Sequence, residues 1–306
     1  MAPSSLPLPA TADDENLVAV TLDVLQAARN PDGGYGYYPN RKSRLEPTAW
    51  VAMSSSMDAG RALGWLADAQ GADGWIRDDR RAPVNYGFNA VALLALLNDS
   101  RSAAHAERLA DALLEARGLA YGPSPVVRQD NSLQAWSWVS ETLSWVEPTA
   151  YALLAMKIVQ QRGLLSRRAS TIRTRIEVAE RLLQDRACAS GGWNYGNSQV
   201  FGHDLYAHGP TTAVALWALQ DRREAAFVDA GLRFLASQAA IERSGLALAF
   251  SAIGLRLFNR PFAEVTAMMQ AQAATSLALA NSVTLAALSL ALAPEPGALH
   301  PLTVEA

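Results

Sequence analysis

"SGGWNYGNSQVFGHDLYAHGPTTAVALWAL", residues 190–219, sets a double glycine and two aromatics before a polar loop and then runs into an apolar helix. Looser copies stand at "DGGYGYYPNRKSRLEPTAWVAM" (residues 32–53) and "DGWIRDDRRAPVNYGFNAVALLAL" (residues 73–96). The ending returns at "WVEPTAYALLAM", residues 145–156. A connection that repeats along a chain marks a repeated architecture.

Around these connections two kinds of helix alternate. Amphipathic, charge-bearing segments are expected at 15–29, 59–69, 102–116, 168–186, 223–238 and 261–274. Ala/Leu-rich segments, apolar almost all round, are expected at 47–57, 89–98, 148–160, 210–220, 245–258 and 282–293. A helix apolar on every face must be buried, and an amphipathic one can cover it. Strand signals are nearly absent. Strict alternation therefore predicts an all-α fold, an (α/α)6 toroid of six outer–inner hairpins with the apolar helices inside. The boundaries expected are a disordered N-terminal tail over 1–12, one toroid domain over 13–296 and a C-terminal tail over 297–306.

Inner-to-outer turns are short, whereas the first four outer-to-inner connections are long: 30–46, 70–88, 118–147 and 187–209. In an alternating ring the long loops share one face. Long loops on a rigid scaffold tend to carry function, and that face also receives the N-termini of the inner helices.

Composition narrows the classes. The chain has 306 residues, half of them hydrophobic, and a net charge of −3, with no basic stripe of the kind that binds nucleic acid. The single cysteine, Cys188, excludes an internal disulfide framework and fits a reducing compartment. The start, "MAPSSLPLPATADDEN", is no signal peptide. The most lipid-like run, 277–293, is broken by Asn281, Ser282 and Thr284, so a core helix is expected there and no membrane span. A cytoplasmic protein follows.

The glycines after outer helices suit the left-handed geometry that ends a helix. Pro47, Pro148 and Pro210 suit a helix's first turn, each followed by a threonine: Thr48, Thr149 and Thr211. That stop-and-restart device leaves the loop aromatics unexplained. They form either a lid packed on itself or the wall of an apolar cavity.

The turns "NPDGGY", "QGADGW" and "ASGGW" resemble the repeats of squalene–hopene cyclases and of protein prenyltransferase β subunits, over four of the six repeats. The resemblance implies an α/α toroid whose central cavity takes an isoprenoid or other apolar small molecule. Class II cyclases carry Asp-x-Asp-Asp followed by Thr-Ala, and this chain has no such motif. Its nearest equivalents are Glu46 and Glu147, each directly before Pro-Thr-Ala. Either glutamate is a general acid, for which burial must raise its pKa against the pull of the helix N-terminus, or it caps an inner helix. The prenyltransferase zinc site needs Asp, Cys and His near inner-helix starts, but Cys188 stands at the wrong end of its connection. No metal or other cofactor is expected, and His203 and His208 read as solvated loop residues. Arg41, Lys42, Arg44, Arg77, Arg80 and Arg81 are either exposed charges or ligands for a diphosphate.

These readings place a site at the mouth of the ring on the long-loop face. Glu46, Glu147 and Asp204 are its candidate acids. Tyr35, Trp50, Trp75, Tyr86, Trp136, Trp145, Tyr151, Trp193, Tyr195 and Tyr206 are its candidate wall. The function expected is carboxylic-acid-assisted carbocation chemistry on an isoprenoid. The alternatives are a non-catalytic toroid that binds a lipid or protein partner, and a glycan-active (α/α)6 enzyme with two carboxylates flanking a cleft.

Overall fold

A computed structural model describes residues 14–54, 59–79, 81–293 and 296–304. The expected N-terminal tail lies outside them. The described residues form twelve α-helices, with one two-stranded hairpin, β1 (Gln199–Val200) and β2 (His203–Asp204). The outer helices are α1 (Asp14–Ala28), α3 (Ala59–Asp68), α5 (Ala103–Glu115), α7 (Ala169–Asp185), α9 (Ala226–Gln238) and α11 (Ala263–Leu279). The inner ones are α2 (Leu45–Met53), α4 (Tyr86–Leu97), α6 (Val146–Gln161), α8 (Gly209–Ala218), α10 (Gly245–Leu257) and α12 (Ser282–Leu292). Each inner helix packs on the next, and α12 packs on α2, so the ring of six closes.

The pairing within the ring differs from the expected outer–inner hairpin. Each outer helix packs mainly on the inner helix before it, and α1 lies against α12. The loop lengths explain this. Short inner-to-outer turns leave no slack, whereas the long connections let the chain step to the next place in the ring. The first and last helices of the chain thus pair, and closure needs both.

Four contacts of one kind fix the long loops. The Thr48 hydroxyl accepts from the Tyr35 N–H (2.9 Å) and donates to the Tyr35 carbonyl (3.3 Å). Thr149 holds Trp136 in the same way (3.2 and 3.0 Å), and Thr212 holds Trp193 (2.9 and 3.2 Å). In the second repeat the Asn89 side chain does this for Ile76 (2.9 and 3.0 Å). All eight of these residues are buried. A buried backbone N–H and C=O must be paired, and here one side chain meets both, sharing the carbonyl with the N–H of Arg44, Trp145 or His208 in three of the four cases (2.8, 3.1 and 2.8 Å). The clasping residue is always the fourth after the residue that caps its inner helix: Arg44, Asn85, Trp145 or His208. In the two repeats without a long loop the same position is Leu248 or Leu285, a plain core residue.

The clasps explain three of the expected wall residues otherwise. Tyr35, Trp136 and Trp193 are fully buried anchors of their loops. The Trp136 and Trp193 indoles donate to carbonyls of the preceding outer helix, Leu113 (2.8 Å) and Leu183 (2.7 Å), and the Arg175 guanidinium stacks 3.9 Å over Trp136. Besides ending a helix, the turn glycines bring the loop onto the next outer helix. Gly74 and Gly191, both at φ +84°, sit so close that a Cβ would meet backbone oxygens of Arg108 (2.8 Å) and Ala230 (2.7 Å).

The chain's end also differs from the tail expected. Pro296–Leu302 forms a 3-10 turn across the short-loop face, with Leu299, Leu302 and Val304 buried. The Gln220 side chain, at the end of α8, donates to the Leu302 carbonyl (2.7 Å) and accepts from the Val304 N–H (3.3 Å). That face of the ring is therefore covered.

Replacing Thr149 by Val keeps the shape and removes the clasp, stranding the N–H of Trp136, whose carbonyl keeps its bond from the Trp145 N–H (3.1 Å). Urea denaturation should show a loss of about 1–3 kcal/mol, with most of it recovered in Thr149→Ser.

Candidate functional site

Counting from each cap, the second residue of the inner helices is Glu46, Gly87, Glu147, Pro210, Leu246 and Val283 in ring order. The sixth is Trp50, Val91, Tyr151, Val214, Phe250 and Ala287. Positions two, six and nine of a helix share one face, and here that face looks at the ring axis. Trp50, on α2, meets Trp217, the ninth residue of α8 directly across the ring, with centroids 6.1 Å apart. Phe250 stacks on Trp50 at 5.1 Å and meets Trp217 edge-on at 4.8 Å. The axis at this depth is filled by aromatic rings. The deep central cavity expected from the sequence is therefore closed, and Trp50 belongs to the plug.

Above the plug lies a layer with two carboxyls. Glu46 accepts a hydrogen bond from the Tyr37 phenol at Oε2 (2.5 Å), and Glu147 accepts one from the Thr211 hydroxyl at Oε1 (2.9 Å). Neither carboxylate is used as a helix cap. Arg44 and Trp145 occupy the cap positions, and hydroxyls from other segments hold the glutamates instead. Thr211 is free for this because the clasp, four residues after the cap as elsewhere, falls on Thr212.

Burial raises both carboxyls. Glu46 is pushed from an ordinary 4.5 to about 7, first by desolvation and then by the charges of Glu147 and Asp78, against the lowering effect of the Tyr37 bond. Glu147 is raised by desolvation alone, which its bond from Thr211 opposes. The charge of Glu147 thus helps Glu46 keep a proton. Tyr151, beneath them, is held well above the ordinary phenol range by burial and by the charges of Glu147 and Glu46. Two raised carboxyls that share a layer are the chemistry an acid/base pair needs.

Between them around the ring stands Gly87. A Cβ there would lie 2.5 Å from the Trp138 ring, so the indole rests directly on the glycine. The Trp138 carbonyl accepts from the Tyr86 N–H (2.8 Å), and its ring meets Phe88 edge-on at 5.4 Å. A half-buried tryptophan face thus lies between the two acids. Tyr37, Thr211 and Trp138 are site residues that the sequence reading did not select. The signal for Trp138 was the glycine at a ring position where two other repeats carry glutamate.

The other expected residues fall elsewhere. Asp204 lies on the exposed hairpin, where the Gln199 amide donates to it (3.0 Å), and its charge acts on Cys188 and not on the glutamates. Trp75 and Tyr86 stack on each other at 5.2 Å. Trp145, Tyr195 and Tyr206 line an open cleft with Asn194, Asn197 and His208, beside the start of α6. Among the described residues no group of three or more His, Cys, Asp and Glu is placed to hold a metal ion. Nor is any described helix long and apolar enough to cross a membrane.

No protein-family profile and no curated protein sequence matches the chain. Solved structures do match in shape. An inactive variant of the α-1,6-mannanase of Salegentibacter sp. HEL1_6, in complex with α-1,6-mannotriose, has a TM-score of 0.64 at 11% identity, covering 92% of this chain and 99% of that one. An α-amylase from Clostridium perfringens has a TM-score of 0.60 at 11% identity, covering 93% and 99%. A variant of the type II terpene cyclase MstE from Scytonema, in complex with its substrate geranylgeranyl dihydroxybenzoate, has a TM-score of 0.56 at 17% identity, covering 87% and 78%. The chain shares the α/α-toroid fold with all three.

The raised Glu46 has a consequence for stability. Between about pH 4.5 and 7 the folded chain keeps a proton there that the unfolded chain has lost. The stabilisation is complete below 4.5 and is lost as pH rises through 7, by up to about 3 kcal/mol. Glu46→Gln should flatten the stability–pH curve in that window, as read by chemical denaturation at pH 5 and pH 8.

Proposed function

We propose that this protein is a glycan-active enzyme that hydrolyses a glycosidic bond at the mouth of the ring. The observation that carries the reading is the carboxyl pair: Glu46 and Glu147 share one layer, burial raises both, and the charge of Glu147 lifts Glu46 further, to about 7. Glycoside hydrolysis uses two such carboxyls, one to give a proton and one to act as base or nucleophile. Glu46 gives its proton to the leaving glycosidic oxygen as the C–O bond breaks. Glu147 either takes a proton from the water that attacks the anomeric carbon or attacks that carbon itself, and the anomeric configuration of the product tells which. Thr211 orients Glu147, Tyr37 orients Glu46, and the Trp138 face offers a platform for a sugar ring.

The isoprenoid reading ranks second. Protonating an alkene calls for a strong acid, and a carboxyl held at about 7 is weaker than an ordinary one. The Trp50–Trp217–Phe250 plug also takes up the axial space in which a polyprenyl chain would fold.

The test is a panel of α-1,6-manno-, xylo-, malto- and uronate oligosaccharides beside a polyprenyl substrate. Hydrolysis of one glycan class is expected, with Glu46→Gln and Glu147→Gln each lowering kcat by about 100-fold or more while the protein stays folded. Turnover of the polyprenyl substrate alone would overturn the reading.

A further inference from the structure

Beside Glu46, on the outer side of Tyr37, lies an open cleft of about 600 Å3 lined by Tyr37, Tyr38, Arg41, Lys42, Arg44 and Asn281. That volume falls within the range of about 300–1,000 Å3 common for ligand sites. Tyr37 belongs to both places, since it lines the cleft and its phenol donates to Glu46. Whatever fills the cleft lies one side chain from the acid.

The wall is cationic, with two phenols beside the charges. Three cations line it, and no carboxylate does. Asn281 spends its Oδ1 on the N–H groups of Val283 and Thr284 at the start of α12 (both 3.1 Å), so its contribution to the cleft is its amide donor. The same cap brings the positive end of the eleven-residue α12 to this side. From outside the cleft Asp78 meets Arg44 (2.9 Å) and Asp79 meets Lys42 (3.8 Å), which offsets part of the charge. Arg41 makes no ion pair among the described residues.

The cations also stand on a built turn. Its backbone is closed by Arg41 N–H to the Tyr38 carbonyl (3.2 Å) and by the Asn30 amide to the Arg41 carbonyl (2.8 Å). Gly36 lies where a Cβ would be 2.6 Å from the Arg41 carbonyl oxygen. The Ser282 N–H donates to the Tyr37 carbonyl (3.0 Å), tying this loop to α12 across the closure of the ring.

A neutral sugar brings no charge to a wall that carries three cations. A carboxylate or a sulfate only accepts. We propose that this cleft holds an anionic substituent of the substrate, so that the glycan cleaved is acidic, a uronate or a sulfated oligosaccharide. The proposal rests on the glycan reading and narrows it to one substrate class.

Calorimetric titration of the Glu46→Gln protein tests it, using oligouronates, sulfated oligosaccharides and neutral oligosaccharides of equal length at low and high ionic strength. One acidic class is expected to bind at least about tenfold more tightly than the neutral one. That advantage should vanish at high salt and in an added Arg41→Ala, Lys42→Ala pair, and return in Arg41→Lys, Lys42→Arg, with the thermal midpoint unmoved. The class that binds names the group, uronate or sulfate ester. Equal affinity for neutral and acidic glycans would overturn the proposal and leave the glycan reading standing. If no glycan binds and the unmutated protein cleaves none, the glycan reading fails and this proposal with it.

Discussion

The structure hangs on one contact made four times: a short polar side chain on an inner helix takes both the N–H and the C=O of a single loop residue. Each long loop drives a large apolar side chain into the space between the ring's layers, and its backbone goes with it. The carbonyl has a second partner in three of the four, the N–H of the residue that caps the inner helix, but the buried N–H has the clasp, and unpaired it would cost about 1–3 kcal/mol. Thr48, Asn89, Thr149 and Thr212 remove that cost, and in doing so they fix the loop against the first turns of its inner helix. The position two residues earlier in Thr48 and Thr149's helices is Glu46 and Glu147. The clasp and the carboxyl pair are therefore one piece of geometry, and the site lies on the side of the ring where clasps exist.

Much of the architecture was legible because helices declare their environment. Segments such as "AVALLALL" are apolar all round and have nowhere to go but inside, whereas α5 buries only Ala and Leu and keeps its charge on the other face. The loops were legible only as loops. Aromatic residues in them carry no period, so nothing in the sequence separates Tyr35, Trp136 and Trp193, which are anchors, from Trp138, which lies over the site. The clasp was half visible as a threonine after proline. Asn89 hid it in the second repeat by doing a hydroxyl's work with an amide. In the fourth the proline stands one place nearer the cap, so Thr211 follows it but Thr212 makes the contact. Asp204 was misplaced for a similar reason. Its hairpin is two residues per strand, too short for any alternation to show.

The pairing of helices was also beyond the sequence, since adjacency in the chain does not say on which side a neighbour packs. Loop slack decides it, and the consequence is that α1 completes the ring beside α12. The polar tie from Ser282 to Tyr37 crosses the same seam. Tyr37, which holds the proposed acid, is thus positioned by the joint that closes the fold.

At Glu46 two effects oppose each other, and their sizes decide the chemistry. The N-terminus of α2 favours the carboxylate by about 0.3–1 kcal/mol. Raising a carboxyl from 4.5 to about 7 corresponds to about 3 kcal/mol in the other direction. Desolvation wins, even with the Tyr37 phenol donating to the group. A helix start is an unusual place to keep a proton, and the burial that allows it comes from neighbours: the plug below, Tyr37 beside it and a second carboxylate across the layer. Glu147 shares the helix position and most of the burial, but no other carboxylate raises it. The asymmetry between the two glutamates lies in the charges of Glu147 and Asp78, which act on Glu46. Gly87 completes the arrangement, because any larger residue there would push Trp138 off the only ring position that separates the two acids.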